Sequence, residues 1–178
     1  MARTSPIRPL RAISRLVSST GTDVELQVQQ PRTVARKDTT FLVTNMMRSV
    51  INEGTGAGAR AAGFALDAAG KSGTTNDLRD AWFVGFTPEL LTVVWVGMDD
   101  NQPLGLSGTQ AALPIWTTFM MRALAGRPNS PFEPPEGVVF VDIDRDTGKV
   151  AVSACPRVFR ESFLTGTEPT EACALHSF

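Results

Sequence analysis

The chain has 178 residues, of which 42% are hydrophobic and 20% charged. That is enough for one packed domain of ordinary size with a small appendage, and it excludes global disorder. A net charge of −1 gives no general pull toward nucleic acid, and a single histidine, His176 near the C-terminal end, argues against a zinc site and a histidine-based triad.

The first twenty residues carry Arg3, Arg8, Arg11 and Arg15 but no apolar run, so no signal peptide is read there. Charge is uneven: residues 1–37 hold seven Arg/Lys against two Asp/Glu, and residues 129–178 hold four against eight. A solvated surface is the plainer reading, and a basic start that binds an acidic partner is the alternative. Val24, Leu26 and Val28 alternate with Glu25 and Gln27, the pattern of a strand with one wet face, and the turn-forming stretch 18–22 joins it to a partner strand over 10–17. Residues 38–53 read as a helix, with Leu42, Met46 and Val50 beside Val43, Met47 and Ile51, a cap at Asp38 or Thr39, and Gly54 as its stop. "GTGAG" over 54–58 reads as a flexible connection.

Three strands follow, over 68–75, 80–86 and 91–98. In "DAWFVGF" and "LTVVWVGM" both faces are apolar, as in central strands covered on two sides, and the short Thr87-Pro88-Glu89 turn makes them antiparallel neighbours. Asp99-Asp100 before Asn101-Gln102-Pro103 reads as a strand-ending turn. The uncharged stretch 101–121 is broken by prolines, glycines and amides, so it is not a membrane span. A second helix over 113–125 has Pro114 in its first turn, a face of Ile115, Trp116, Phe119, Met120, Ala123 and Leu124, and a stop at Gly126 and Pro128. Trp82, Trp95 and Trp116 are expected in the core. A proline-rich linker over 128–135 leads to a hairpin in which 138–143 and 149–153 flank "DRDTG". The expected fold is α+β: an antiparallel sheet packed by helices over 1–127, then a linker and a small C-terminal β-hairpin tail over 128–178.

"ALDAAGKSGTTND", residues 65–77, admits two readings. Ala65, then Gly70-Lys71-Ser72 after four intervening residues, fits a relaxed phosphate loop. That loop needs a helix starting at its Lys-Ser, and Gly73 followed by a strand at Asp80 leaves no room for one, so nucleotide binding is a remote alternative. The second reading is the Lys-Thr/Ser-Gly triplet of a substrate strand. There Lys71 offers a positive charge to a carboxylate, and Ser72, Thr74 and Thr75 offer hydroxyls. Gly73 lets a ligand approach the backbone, so that an extended peptide pairs along the strand. Asp77, Arg79 and Asp80 either form an ion pair at the mouth of that cleft or are solvated turn charges.

Three stretches, "TTFLVTNMMRSVINEGTGAGARAAG", "AGKSGTTNDLRDAWFVGFTPELLTVVWVGMDD" and "AALPIWTTFM", resemble the C-terminal half of the transpeptidase domain of class A penicillin-binding proteins, and "GTEPTEAC" is similar to that family's C-terminal end. The resemblance implies a partial penicillin-binding transpeptidase fold, like that of serine β-lactamases, and a cell-wall function. A serine attacks the D-Ala-D-Ala bond of a stem peptide, D-alanine leaves, and an amine of a second stem peptide takes the acyl group; penicillin traps the serine. By motif, Lys71 holds the carboxylate end and helps proton movement, Ser72 and Thr74 hydrogen-bond the carboxylate, and the backbone around Thr74 supplies an oxyanion-hole donor. No cofactor is implied. The implied partners are peptidoglycan stem peptides, β-lactams, the preceding half of the transpeptidase domain and a glycosyltransferase domain. The implied location is the extracytoplasmic face of the bacterial inner membrane, reached through an N-terminal anchor.

The family's site also uses Ser-x-x-Lys and Ser-x-Asn, and no serine of this sequence has lysine three residues on or asparagine two residues on. The expectation is the distal part of a longer enzyme, inactive alone. The rival from another class is a non-catalytic module that binds peptidoglycan or a partner protein through an exposed sheet edge. Cys155 and Cys173 are either one disulfide stapling the tail in an oxidising compartment or two unpaired small residues.

Overall fold

The computed structural model describes residues 16–24 and 33–176. In chain order the elements are β1 (Leu16–Val17), β2 (Asp23–Val24), α1 (Lys37–Asn52), α2 (Gly58–Ala61), β3 (Ala69–Thr74), β4 (Asp80–Phe86), β5 (Leu91–Gly97), α3 (Ala112–Ala123), β6 (Val138–Asp144) and β7 (Val158–Leu164). The α+β class expected from the sequence is observed. β1 and β2 pair as the opening hairpin. The remainder of the expected strands over 10–17 and 24–28 lies outside the described residues.

The main sheet has the order β3-β4-β5, all antiparallel, with Ser72 opposite Phe83 and Phe83 opposite Val94. Side chains alternate across a strand. Ala81, Phe83 and Gly85 of β4 therefore share one face, and that face is buried. Against it pack α1, α2 and α3, closing a core of Ile51, Ala59, Phe64, Ala68, Phe83, Leu113, Trp116 and Met120. Trp116 sits at its centre, with ring centroids 5.3 Å from Phe64 and 5.1 Å from Phe83, and its indole N–H donates to the Gly85 carbonyl at 3.1 Å. A Cβ on Gly85 would lie 2.5 Å from the Trp116 ring, so only glycine allows α3 this close to the sheet.

Several expectations are corrected. α1 begins at Lys37 after Arg36, so neither Asp38 nor Thr39 is the cap. Asp38 instead sits inside the first turn, pairing with Arg36 and accepting the Thr39 N–H at 2.6 Å, where a carboxylate favours the helix dipole. α1 buries Phe41 and Ile51 and leaves Val43 and Met46 exposed. α3 buries Leu113, Trp116, Thr117 and Met120, while Ile115 and Phe119 face out. α2 interrupts the glycine-rich connection that reads as merely flexible.

Among the described residues only β4 is central, and β5 is an edge strand, with Leu91 61%, Val93 50% and Trp95 49% exposed. Trp82 and Trp95 are therefore half-open, not core, and sit together on the second face of the sheet with centroids 6.1 Å apart. The stretch 99–102 is the expected turn, with the Asp100 carboxylate accepting the Gln102 N–H at 3.2 Å.

The linker after α3 is tied down. Asn129 Oδ1 accepts the Asp67 N–H at 2.6 Å, and Asp67 Oδ2 accepts the Phe132 N–H at 2.9 Å. Glu89 takes Ser130 Oγ–H at 2.9 Å and Arg127 at 3.2 Å, and these two contacts, Ser130 foremost, hold its carboxyl below the ordinary range. In the tail, "DRDTG" does turn the chain, with Asp144 N–H on Lys149 O and Ala151 N–H on Asp142 O. Residues 149–153 make only a short return. The strand that pairs β6 along its length is β7, Val138 opposite Leu164 and Asp144 opposite Val158.

Candidate active-site strand

Among the described residues β3 is a free edge of the sheet, and Lys71, Ser72, Gly73 and Thr74 all lie on it, with Thr75 just beyond. The Gly70-Lys71-Ser72 run is therefore strand backbone, not a loop opening a helix, which removes the geometry a phosphate loop requires. Alternation sends Ser72 and Thr74 to the helix-covered face and Lys71 and Gly73 to the face of Trp82. At an edge both sets remain reachable. Lys71 is exposed, and its ammonium curls round to donate to its neighbour's carbonyl, Ser72 O, at 2.7 Å.

The hydroxyls are positioned from outside the strand. Ser72 Oγ lies 3.3 Å from Thr55 Oγ1, which the turn after α1 delivers. Thr74 Oγ1 accepts the Gly108 N–H at 3.1 Å, leaving its own O–H proton to offer to a ligand. Thr75 N–H points inward to Asp80 O at 3.1 Å, so alternation turns the backbone groups of Thr74 and Ser72 toward the free edge. A Cβ on Gly73 would stand 3.2 Å from Trp82 Cβ, so this glycine serves cross-strand packing as well as an open edge.

The turn from β3 to β4 is fixed by polar contacts. Asp80 N–H donates to Thr75 Oγ1 at 2.8 Å, and the Trp95 indole N–H donates to Asp80 Oδ1 at 2.8 Å. Asp80 is thus occupied by Thr75 and Trp95. The ion pair at this mouth is Arg79–Asp77 alone, 3.8 Å apart and exposed, a kind worth about 1 kcal/mol or less. Asp77 and Leu78 both adopt positive φ, 60° and 55°, and the Leu78 carbonyl accepts the N–H of Leu104 and Gly105, which braces this strained turn against the 101–105 loop.

Sequence reasoning missed Thr55 and Gly108. Both lie in glycine-rich loops whose role appears only when the loops fold back onto β3. Gly108 has no room for a side chain: a Cβ would be 2.4 Å from Trp82 O and 2.5 Å from Gly73 O. Its carbonyl also accepts the Ala112 and Leu113 N–H groups that open α3. Gly108→Ala is expected to push the 107–110 loop off β3 and cost about 1–3 kcal/mol, as overpacking does. Urea denaturation checks this, and an unchanged midpoint would show that the loop is not packed there.

A groove of about 1040 Å³ lies between α1 and the β6–β7 hairpin, lined in part by Arg48, Arg145, Arg157 and Arg160. It includes none of residues 71–75. Size alone would favour it; convergent chemistry favours β3.

A free-edge strand bearing Lys-Ser-Gly, on an antiparallel sheet backed by helices, defines the class of penicillin-recognising folds. Comparison with known proteins agrees: residues 4–120 match the family described as the penicillin binding protein transpeptidase domain, and the chain belongs to that family. Residues 134–178 match the C-terminal domain of penicillin-binding protein 1A. Penicillin-binding protein 1A of Aquifex aeolicus is 40% identical over 165 residues, covering 91% of this chain and 22% of that protein. The Pseudomonas aeruginosa protein of the same name is 40% identical over 133 residues, covering 74% of this chain and 16% of its own length. The crystal structure of penicillin-binding protein 1A from Haemophilus influenzae superposes with a TM-score of 0.72 at 30% identity, over 83% of this chain and 23% of that one. The chain thus spans about a fifth of the length of these relatives.

Proposed function

We propose that β3 is the substrate strand of a peptidoglycan D,D-transpeptidase, working in acyl transfer with a nucleophilic serine that this sequence does not carry. The observation that carries the reading is Lys71-Ser72-Gly73-Thr74 on a free sheet edge, with Thr74's hydroxyl oriented by Gly108. A stem peptide ending in D-Ala-D-Ala lies along that edge. Lys71 attracts its terminal carboxylate, and Ser72 and Thr74 donate hydrogen bonds to the same group. The outward backbone N–H at Thr74 stabilises the oxyanion formed when the serine Oγ adds to the scissile carbonyl. The carbonyl re-forms as D-alanine departs with a proton, and the acyl-enzyme then passes to the amine of a second stem peptide.

β-Lactams lie along the same edge as mimics of the donor. The working location is the outer face of the bacterial inner membrane. Among the described residues no helix is long and apolar enough to cross a membrane.

The test is a fluorescent penicillin. The 178-residue chain alone is expected to take no covalent label, because neither Ser-x-x-Lys nor Ser-x-Asn occurs in it. A label resistant to denaturation, mapped to a serine of this chain, would contradict the division of labour.

A further inference from the structure

We propose that Asp144, Cys155, Cys173 and His176 form a four-ligand structural site for a zinc ion, pinning the C-terminal tail to the end of β6. The four side chains come from three segments: the end of β6, the 152–155 turn, and the last described stretch, where Cys173 and His176 are three residues apart. One ligand atom from each lies within 4.8 Å of all the others.

Three of the separations are of tetrahedral length, the two to Asp144 being taken at its two different oxygens, and Cys155 lies within the same 4.8 Å. Cys173 Sγ is 3.5 Å from Asp144 Oδ2 and 3.5 Å from His176 Nδ1, and His176 Nδ1 is 3.7 Å from Asp144 Oδ1. Metal–ligand bonds of about 2.0–2.3 Å give tetrahedral edges of roughly 3.3–3.8 Å. Two thiolates, an imidazole and a carboxylate are a donor set that zinc accepts.

The independent observation is Asp144. It is fully buried, and its Oδ1 has no hydrogen-bond donor, while Oδ2 takes the Thr147 hydroxyl at 2.7 Å and the Thr147 N–H at 3.1 Å. A buried carboxylate oxygen without a partner is costly unless a cation meets it. A Cys155–Cys173 disulfide, one of the two alternatives open from the sequence, would use neither this oxygen nor the imidazole; both sulfurs are unbonded here.

Ligation would release the two thiol protons to solvent. The Val152 N–H directed at Cys155 Sγ, 3.3 Å away, steadies a thiolate in place. The need for a clip is visible in the tail, a two-stranded hairpin whose buried side chains are few, Ile143, Asp144, Ser162 and Cys173 among them.

The experiment is zinc titration of the intact chain, reduced and freed of metal, with bound zinc counted by elemental analysis and cobalt(II) as the spectroscopic probe. Expected are one zinc per chain, a raised melting temperature, and thiolate-to-cobalt charge-transfer absorption. His176→Gln, at a partly buried position that contributes no core packing, should keep the circular dichroism of the parent yet bind zinc at least about tenfold more weakly, since even the loss of an outer partner has that effect. Cys155→Ser should abolish much of the charge-transfer band. No zinc at saturation, unchanged affinity in both variants, or formation of a Cys155–Cys173 disulfide in preference to zinc binding when zinc is present would each overturn the site.

Discussion

Trp116→Ala is expected to destabilise the fold by about 3–5 kcal/mol, the range for deleting a large buried aromatic. Trp116 is fully buried, packs edge-on to Phe64 and against Phe83, and donates to Gly85 O. Its removal opens a cavity between α3 and the sheet and loses the indole hydrogen bond to the Gly85 carbonyl. Domains are stable by only about 5–15 kcal/mol, so this one substitution takes a large fraction of the total. Trp95→Ala is the control. Trp95 is half exposed, with its indole against Trp82 and Asp80 at the surface, so its loss should cost well under half as much. Urea midpoints of the two variants decide it. Equal losses would mean that α3 is not seated on the sheet through Trp116.

The two tryptophans also show what the sequence could and could not convey. Both lie in apolar surroundings, and composition gives them the same expectation. Neighbouring strands separate them: Trp116 meets glycine at Gly85, while Trp95 is on an edge strand with an open face. Periodicity located α1, β3, β4, β5 and α3 to within a residue or two because each is long and bounded by turn residues. It misjudged which apolar side chains were inside, since Val43, Met46, Ile115 and Phe119 sit on faces of their helices turned away from the core.

The tail misled for a related reason. "DRDTG" is a sound turn signal, but its short return gives way to β7, a pairing partner from farther along the chain. The Lys71 triplet was legible because its chemistry is contiguous. Thr55 and Gly108, which orient Ser72 and Thr74, and the Asp144–Cys155–Cys173–His176 group are assembled across 17 to 34 positions of chain, where no local pattern reports them.

The second large effect concerns Lys71. Lys71→Ala should leave stability nearly unchanged, because the side chain is exposed and its hydrogen bond is to the adjacent residue's carbonyl. Acylation by penicillin should nevertheless fall by about 10²–10³-fold, the size of effect seen when one preorganised contact to developing charge is lost in a water-poor cleft. Lys71→Arg should recover only part of the rate, since a planar guanidinium does not reproduce a compact ammonium at a shaped site.

The measurement needs a nucleophile, which a chimera supplies: residues 33–178 of this chain in place of the matching stretch of penicillin-binding protein 1A from Aquifex aeolicus. The decisive quantity is the second-order rate of penicillin acylation of that chimera with Lys71 and with Lys71→Ala, at matched melting temperatures. A folded chimera that acylates and loses about two to three orders of magnitude on substitution is the expected result. Equal rates at equal stability, or a folded chimera that does not acylate at all, would contradict the assignment of β3 as the substrate strand.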